Sequence, residues 1–180
     1  VALDADTKLC VSYLIGPRTA EAAHQFMLDV AQRVKGRTQV TMDGLNVYVD
    51  AVEGAFGSRV DYAQLVKIYG QSDEGERRYS PPVCLGTERN TVQGCPDPAH
   101  VSTSFVERSN LTMRMSIRRF TRLTNAFSKK LENHWAAVAL HFAHYNVVRI
   151  HSKLRITPAM AAGVTNRLWS LEELVTQTSN

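Results

Sequence analysis

Residues 37–70 read RTQVTMDGLNVYVDAVEGAFGSRVDYAQLVKIYG. RTQVTM is a short β-rich run that stops at Asp43-Gly44, a pair with turn chemistry. Val47, Ala51, Val52, Ala55 and Phe56 then recur on one helical stripe, and Gly57 follows as a stop. From Val60, VDYAQLVKIYG returns to a strand pattern. Strand, helix and strand in succession set the fold class as α/β.

On the amino-terminal side, VALDADTKLCVSYLIG reads as a hairpin. Leu9, Val11, Tyr13 and Ile15 alternate with Lys8, Cys10, Ser12 and Leu14, and Asp4 to Thr7 supply the turn. A helix follows, capped by Thr19 and ended by Gly36, with Ala22, Ala23, Phe26, Met27, Val30 and Val34 as its apolar positions. The order strand, strand, helix, strand, helix, strand predicts a mixed sheet flanked by helices.

On the carboxyl-terminal side, residues 70–100 are rich in Gly, Pro and charge and read as a long loop insertion holding at most a small hairpin. Helical periodicity returns near Val101, with Met113, Ile117 and Phe120 on one side. A further helix starts near Asn125 or Ser128, with Leu131, Trp135, Val138, Ala139 and Phe142 as its stripe. Thr157-Pro158 marks a stop, and PAMAAG a short helix. The expected organisation is one core over 1–160 and a tail over 161–180.

An apolar fraction of 44% and a charged fraction of 21% are ordinary for a globular domain. No apolar run approaches the roughly 20 residues that span a bilayer, so no membrane partner is expected. Three cysteines in no tight pair point to the cytoplasm rather than to a disulfide framework. Cys84, Cys95 and His100 fit no closed zinc spacing. The net charge of +4 is unevenly spread. Residues 1–100 carry 10 basic and 13 acidic side chains, residues 101–155 carry 10 and 2, and residues 156–180 carry 1 and 2. Basic charge concentrated in one third of a chain is the footprint of a polyanion-binding surface.

Two carboxylates stand out. Glu107 heads a helix whose other charges are arginines, and Asn110, Arg114 and Arg118 fall within about 60° of it at helical spacing. A first-turn glutamate also suits the helix dipole. Asp43 ends a strand, where α/β ligand sites gather, and equally suits a turn. A sheet-end Asp and a helix-borne Glu are the hard oxygen donors used to hold Mg²⁺ for phosphoryl transfer.

The runs DADTKLCVSYLIGPR, TMDGLNVY, DYAQLVKIYG, STSFVERSNLTMRMSIRRFTRLTNAFSKKLENH and HYNVVRIHSKLRITPAMAAG resemble the catalytic core of a bacterial insertion-sequence transposase, of the first-described insertion-sequence family. The resemblance covers nearly the whole chain. It implies an RNase H-like fold and a DDE triad binding Mg²⁺ or Mn²⁺ for DNA strand cleavage and strand transfer. Asp43 in TMDG matches the second Asp, and Glu107 in VERSN matches the final Glu. The first Asp is expected on a strand before Val1, so this chain reads as a fragment lacking its first strand; Asp4 and Asp6 read as hairpin-turn residues. Leu45 departs from the polar residue expected after Asp-Gly. The implied partners are DNA, as transposon ends and target, and further copies of the chain on that DNA. The alternative is a truncated, catalytically inactive remnant that binds nucleic acid; a nuclease acting on RNA is a third reading.

Asn110, Arg114, Arg118, Arg119, Arg122, Lys129, Lys130 and Arg149 are the candidate DNA contacts. Tyr145 and Asn146, in the Y-N-x-x-R-x-H run ending at His151, serve equally well as helix-end locks. His134, His141 and His144 share one long helix without a carboxylate, which favours packing over metal binding.

Overall fold

The computed structural model describes residues 1–70, 83–120, 125–126 and 128–178. Its elements run β1 (Ala2–Leu3), β2 (Cys10–Ser12), α1 (Ala20–Arg33), β3 (Thr38–Met42), α2 (Val47–Phe56), β4 (Val60–Tyr69), β5 (Cys84–Gln93), α3 (Ser104–Ser116), α4 (Leu131–Val147), α5 (Pro158–Ala161) and α6 (Leu171–Thr178). The protein is a mixed α/β chain with a two-stranded and a three-stranded sheet. It divides into two compact units, residues 16–103 and residues 1–15 with 104–180.

In the unit of residues 16–103, Thr19 caps α1 by accepting from the Ala22 amide at 3.3 Å, and Ala23, Phe26, Met27, Val30 and Ala31 form its buried face. Helix α2 buries Ala51, Val52 and Phe56 and packs on α1. Strands β3 and β4 are parallel, from Thr38 opposite Val60 to Met42 opposite Gln64, with α2 as their crossover. The sheet order is β3-β4-β5, so β4 is central. Its first half is buried at Val60, Tyr62, Ala63 and Gln64, and Gln64 Nε2 donates to the Tyr62 hydroxyl at 3.0 Å. Burying a large apolar side chain here contributes roughly 1.5–3 kcal/mol.

The insertion over 70–100 contains more order than its composition predicts. Residues 84–93 form β5, antiparallel to β4 along nearly its whole length. CLGTERNTVQ escapes detection because an edge strand exposed on both faces needs no apolar alternation. Residues 71–82 of this insertion lie outside the described residues. After β5, the Gln39 side chain holds the chain by two hydrogen bonds to the Asp97 backbone, at 3.0 and 2.9 Å.

In the other unit, β1 and β2 pair antiparallel, and Asp4 organises their turn. Its carboxylate accepts from the Asp6 amide at 3.0 Å and the Thr7 hydroxyl at 2.6 Å. The strands are shorter than the alternation predicts, and the fully buried residues are Cys10 and Ser12 rather than Leu9 and Val11. Cys10 joins Ile117, Val138 and Phe142 in the core, while Tyr13 reaches the same core by stacking on Phe142 at 4.8 Å. Helix α3 ends at Ser116; Arg118–Phe120 form a separate 3-10 turn.

Helix α4 buries Val138 and Phe142, as its spacing predicts, but leaves Leu131 and Trp135 57% and 48% exposed. This helix is apolar nearly all round, so periodicity alone does not single out its buried side. Thr157 caps α5 through the Met160 amide at 3.2 Å, and both α5 and α6 lie against α4. Residues 161–180 thus contain a helix, with Leu174 buried.

Candidate nucleic-acid interface

Asp43 lies one residue past the carboxyl end of β3 and is exposed. Its Oδ1 accepts from the Leu45 amide at 3.4 Å, a local Asx turn that orients the carboxylate. Gly44 is required for room: a Cβ there would stand 2.8 Å from Val66 Cγ2 on β4. The Asp43 charge also bears on two tyrosines. Burial and then Asp43 push the Tyr48 hydroxyl up, and burial does most to raise that of Tyr62.

Glu107 sits in the first turn of α3, exposed, in the other unit. Arg114 falls within about 20° of it around the helix axis and is also exposed. Asn110 is half-buried on the same helix. Arg118 is exposed but belongs to the 3-10 turn, so its expected place on the Glu107 face of a continuous helix is corrected. Arg119 is engaged within the protein, donating to the Ser128 hydroxyl and to the Asn133 carbonyl. Lys129 and Lys130 are exposed at the start of α4, Arg149 is exposed just after its end, and Arg122 lies outside the described residues.

The Y-N-x-x-R-x-H run divides by role. Asn146 acts as a strand partner: its Oδ1 accepts from the Cys10 amide at 3.0 Å, and its Nδ2 donates to the Cys10 carbonyl at 2.9 Å. The Tyr145 hydroxyl donates to the Lys8 carbonyl at 3.0 Å. Both residues therefore fasten the hairpin to α4. Arg149, His151 and Lys153 share an electropositive region with Lys8. Burial holds the His151 imidazole below its ordinary value, and the cations Lys8, Arg149 and Lys153 add to this. The Lys8 ammonium lies 3.6 Å from the Phe105 ring centroid, and its pKa is lowered by burial first. Lys8 carried no signal in the sequence, because only the hairpin brings it near residues 149–153.

Two of the α4 histidines, His134 and His141, pack against aromatic rings. His134 meets the Phe120 ring edge-on at 4.9 Å, and His141 meets Phe142 at 5.2 Å. Cys84 and Cys95 are free, exposed and at opposite ends of β5, a strand on the order of 30 Å long, so they do not form a zinc site with His100. Neither unit, among its described residues, gathers three or more His, Cys, Asp or Glu side chains able to hold a metal ion. No described helix is long and apolar enough to cross a membrane.

One buttress carries no signal in the sequence. Arg37 makes two bonds to the Asp61 carboxylate, at 2.7 and 2.6 Å, and the Cys95 amide adds a third at 2.7 Å. Arg37 and that amide hold the Asp61 carboxyl down at about 2. Compared with known proteins, the chain matches no family model, no curated protein and no solved structure.

Proposed function

We propose that the chain is the catalytic region of an insertion-sequence transposase with an RNase H-like fold, acting on DNA through Asp43 and Glu107. The observation that carries this reading is helix α3. Its exposed side presents Glu107 with Arg108 and Arg114, and no other acid occurs between Asp97 and Glu132. An arginine-rich surface of this kind suits a phosphate backbone, and a carboxylate within it suits a metal ion at the phosphate. The parallel β3-α2-β4 unit, with Asp43 at the carboxyl end of β3, gives further support.

Asp43 and Glu107 offer the exposed hard oxygens that Mg²⁺ or Mn²⁺ takes, and are the residues proposed to hold it. When bound, the metal supplies activation of water or hydroxyl and stabilisation of the leaving oxygen. The protein's own contribution is placement: the Asx turn fixes Asp43, and α3 fixes Glu107 beside its arginines.

Binding to duplex DNA across a salt series tests the reading. Affinity is expected to fall steeply with salt, and Arg114→Gln to lower the log–log slope by about one. Equal binding to RNA and hybrid duplexes would favour a nuclease acting on RNA. Salt-independent binding, or none, would overturn a nucleic-acid function. Strong binding by a chain that never nicks DNA would mark an inactive remnant.

A further inference from the structure

Helix α3 shows an apolar ridge on the side turned away from its core. Met113 and Ile117 face inward, with Ile117 in the core and Met113 packed against it. Leu111 and Met115 point about 140° and 180° away from that direction, one turn apart and about 40° from each other. Met115 is 79% exposed and Leu111 46%. Arg108 lies about 20° to one side of Met115, and Arg114 about 60° to the other side of Leu111. Arg118 follows in the next turn and is exposed.

We propose that Met115, supported by Leu111, is a wedge that inserts between base steps of bound DNA while Arg108, Arg114 and Arg118 hold the phosphates beside it. This rests on the nucleic-acid reading and adds a mode of engagement. Flexible apolar side chains unstack base steps in minor-groove and bending proteins, at a cost offset by added backbone contacts. The thioether is unbranched and polarizable, which suits contact with a base face. The flanking charge selects the occupant: three exposed arginines around two apolar residues complement phosphates, whereas a second copy of this helix would meet its own arginines.

Duplexes carrying 2-aminopurine at successive positions test the wedge, because the probe brightens when unstacked. The unaltered chain is expected to give a several-fold rise at one or a few positions. Met115→Ala should abolish the rise and leave the salt slope of binding intact; Met115→Leu should retain most of it. Binding without any rise, or a rise that survives the double change Leu111→Ala with Met115→Ala, overturns the wedge alone. Loss of self-association in Met115→Ala, with base stacking undisturbed throughout, assigns the ridge to contact between copies and also overturns it. Failure of the unaltered chain to bind DNA overturns the underlying reading together with the wedge.

Discussion

Asp43 is held where it is by its neighbour. Gly44 crosses β4 so closely that a methyl group would meet Val66 at 2.8 Å, and a β-branched side chain cannot swing clear. Gly44→Ala should cost roughly 1–3 kcal/mol in urea unfolding, and Val66→Ala in the same chain should restore part of it. The Asp-Gly pair was legible as the end of a strand. The reason for the glycine was not, because Val66 reaches it only through the parallel pairing of β3 and β4.

The Asp61 buttress sets a pH dependence. Its folded pKa, about 2, lies below the ordinary 3.8. The stability it contributes is therefore present above pH 3.8 and lost as pH falls toward about 2. Asp61→Asn should flatten that acid limb when urea midpoints are compared across the window. Gly94 lies against the same carboxylate, at φ +69° and with a Cβ position only 2.2 Å from Asp61 Oδ1, so Gly94→Ala should disrupt the pair outright.

At the scale of elements, hairpin β1-β2 depends on α4. Asn146→Ala removes two side-chain hydrogen bonds to the Cys10 backbone and should cost about 1–3 kcal/mol; Tyr145→Phe removes one bond and should cost nearer 1. Helix α4 offers a contrast. Phe142→Ala should cost about 3–5 kcal/mol, and Trp135→Ala far less, although the apolar spacing gives them equal weight. Helix α1 was legible from its cap and periodicity, and helix α2 and strands β3 and β4 from periodicity and the stops at Gly57 and Asp43-Gly44. Strand β5 was not, because it has no apolar face. Helix α6 carried an unread signal: Ser170 and Glu173 form a reciprocal capping box, at 3.1 and 2.8 Å, from an S-x-x-E spacing visible in the sequence.

Over the whole molecule, charge follows the division into units. Residues 1–15 with 104–180 carry 12 Lys and Arg against 6 Asp and Glu, while residues 16–103 carry 9 against 11. The basic third was plain from the sequence. That residues 1–15 share a unit with 104–180 was not, since the link runs through Cys10, Tyr13 and the amide of Asn146 rather than through any local pattern. Asp43 lies in the unit of residues 16–103 and Glu107 in that of residues 1–15 with 104–180.

The most direct measurement is Mg²⁺-dependent nicking of supercoiled DNA by the full-length reading frame that contains these 180 residues. A transposase core predicts conversion to open circles that chelation stops and that Asp43→Ala and Glu107→Ala each abolish. Nicking that persists at full rate in either variant would contradict it.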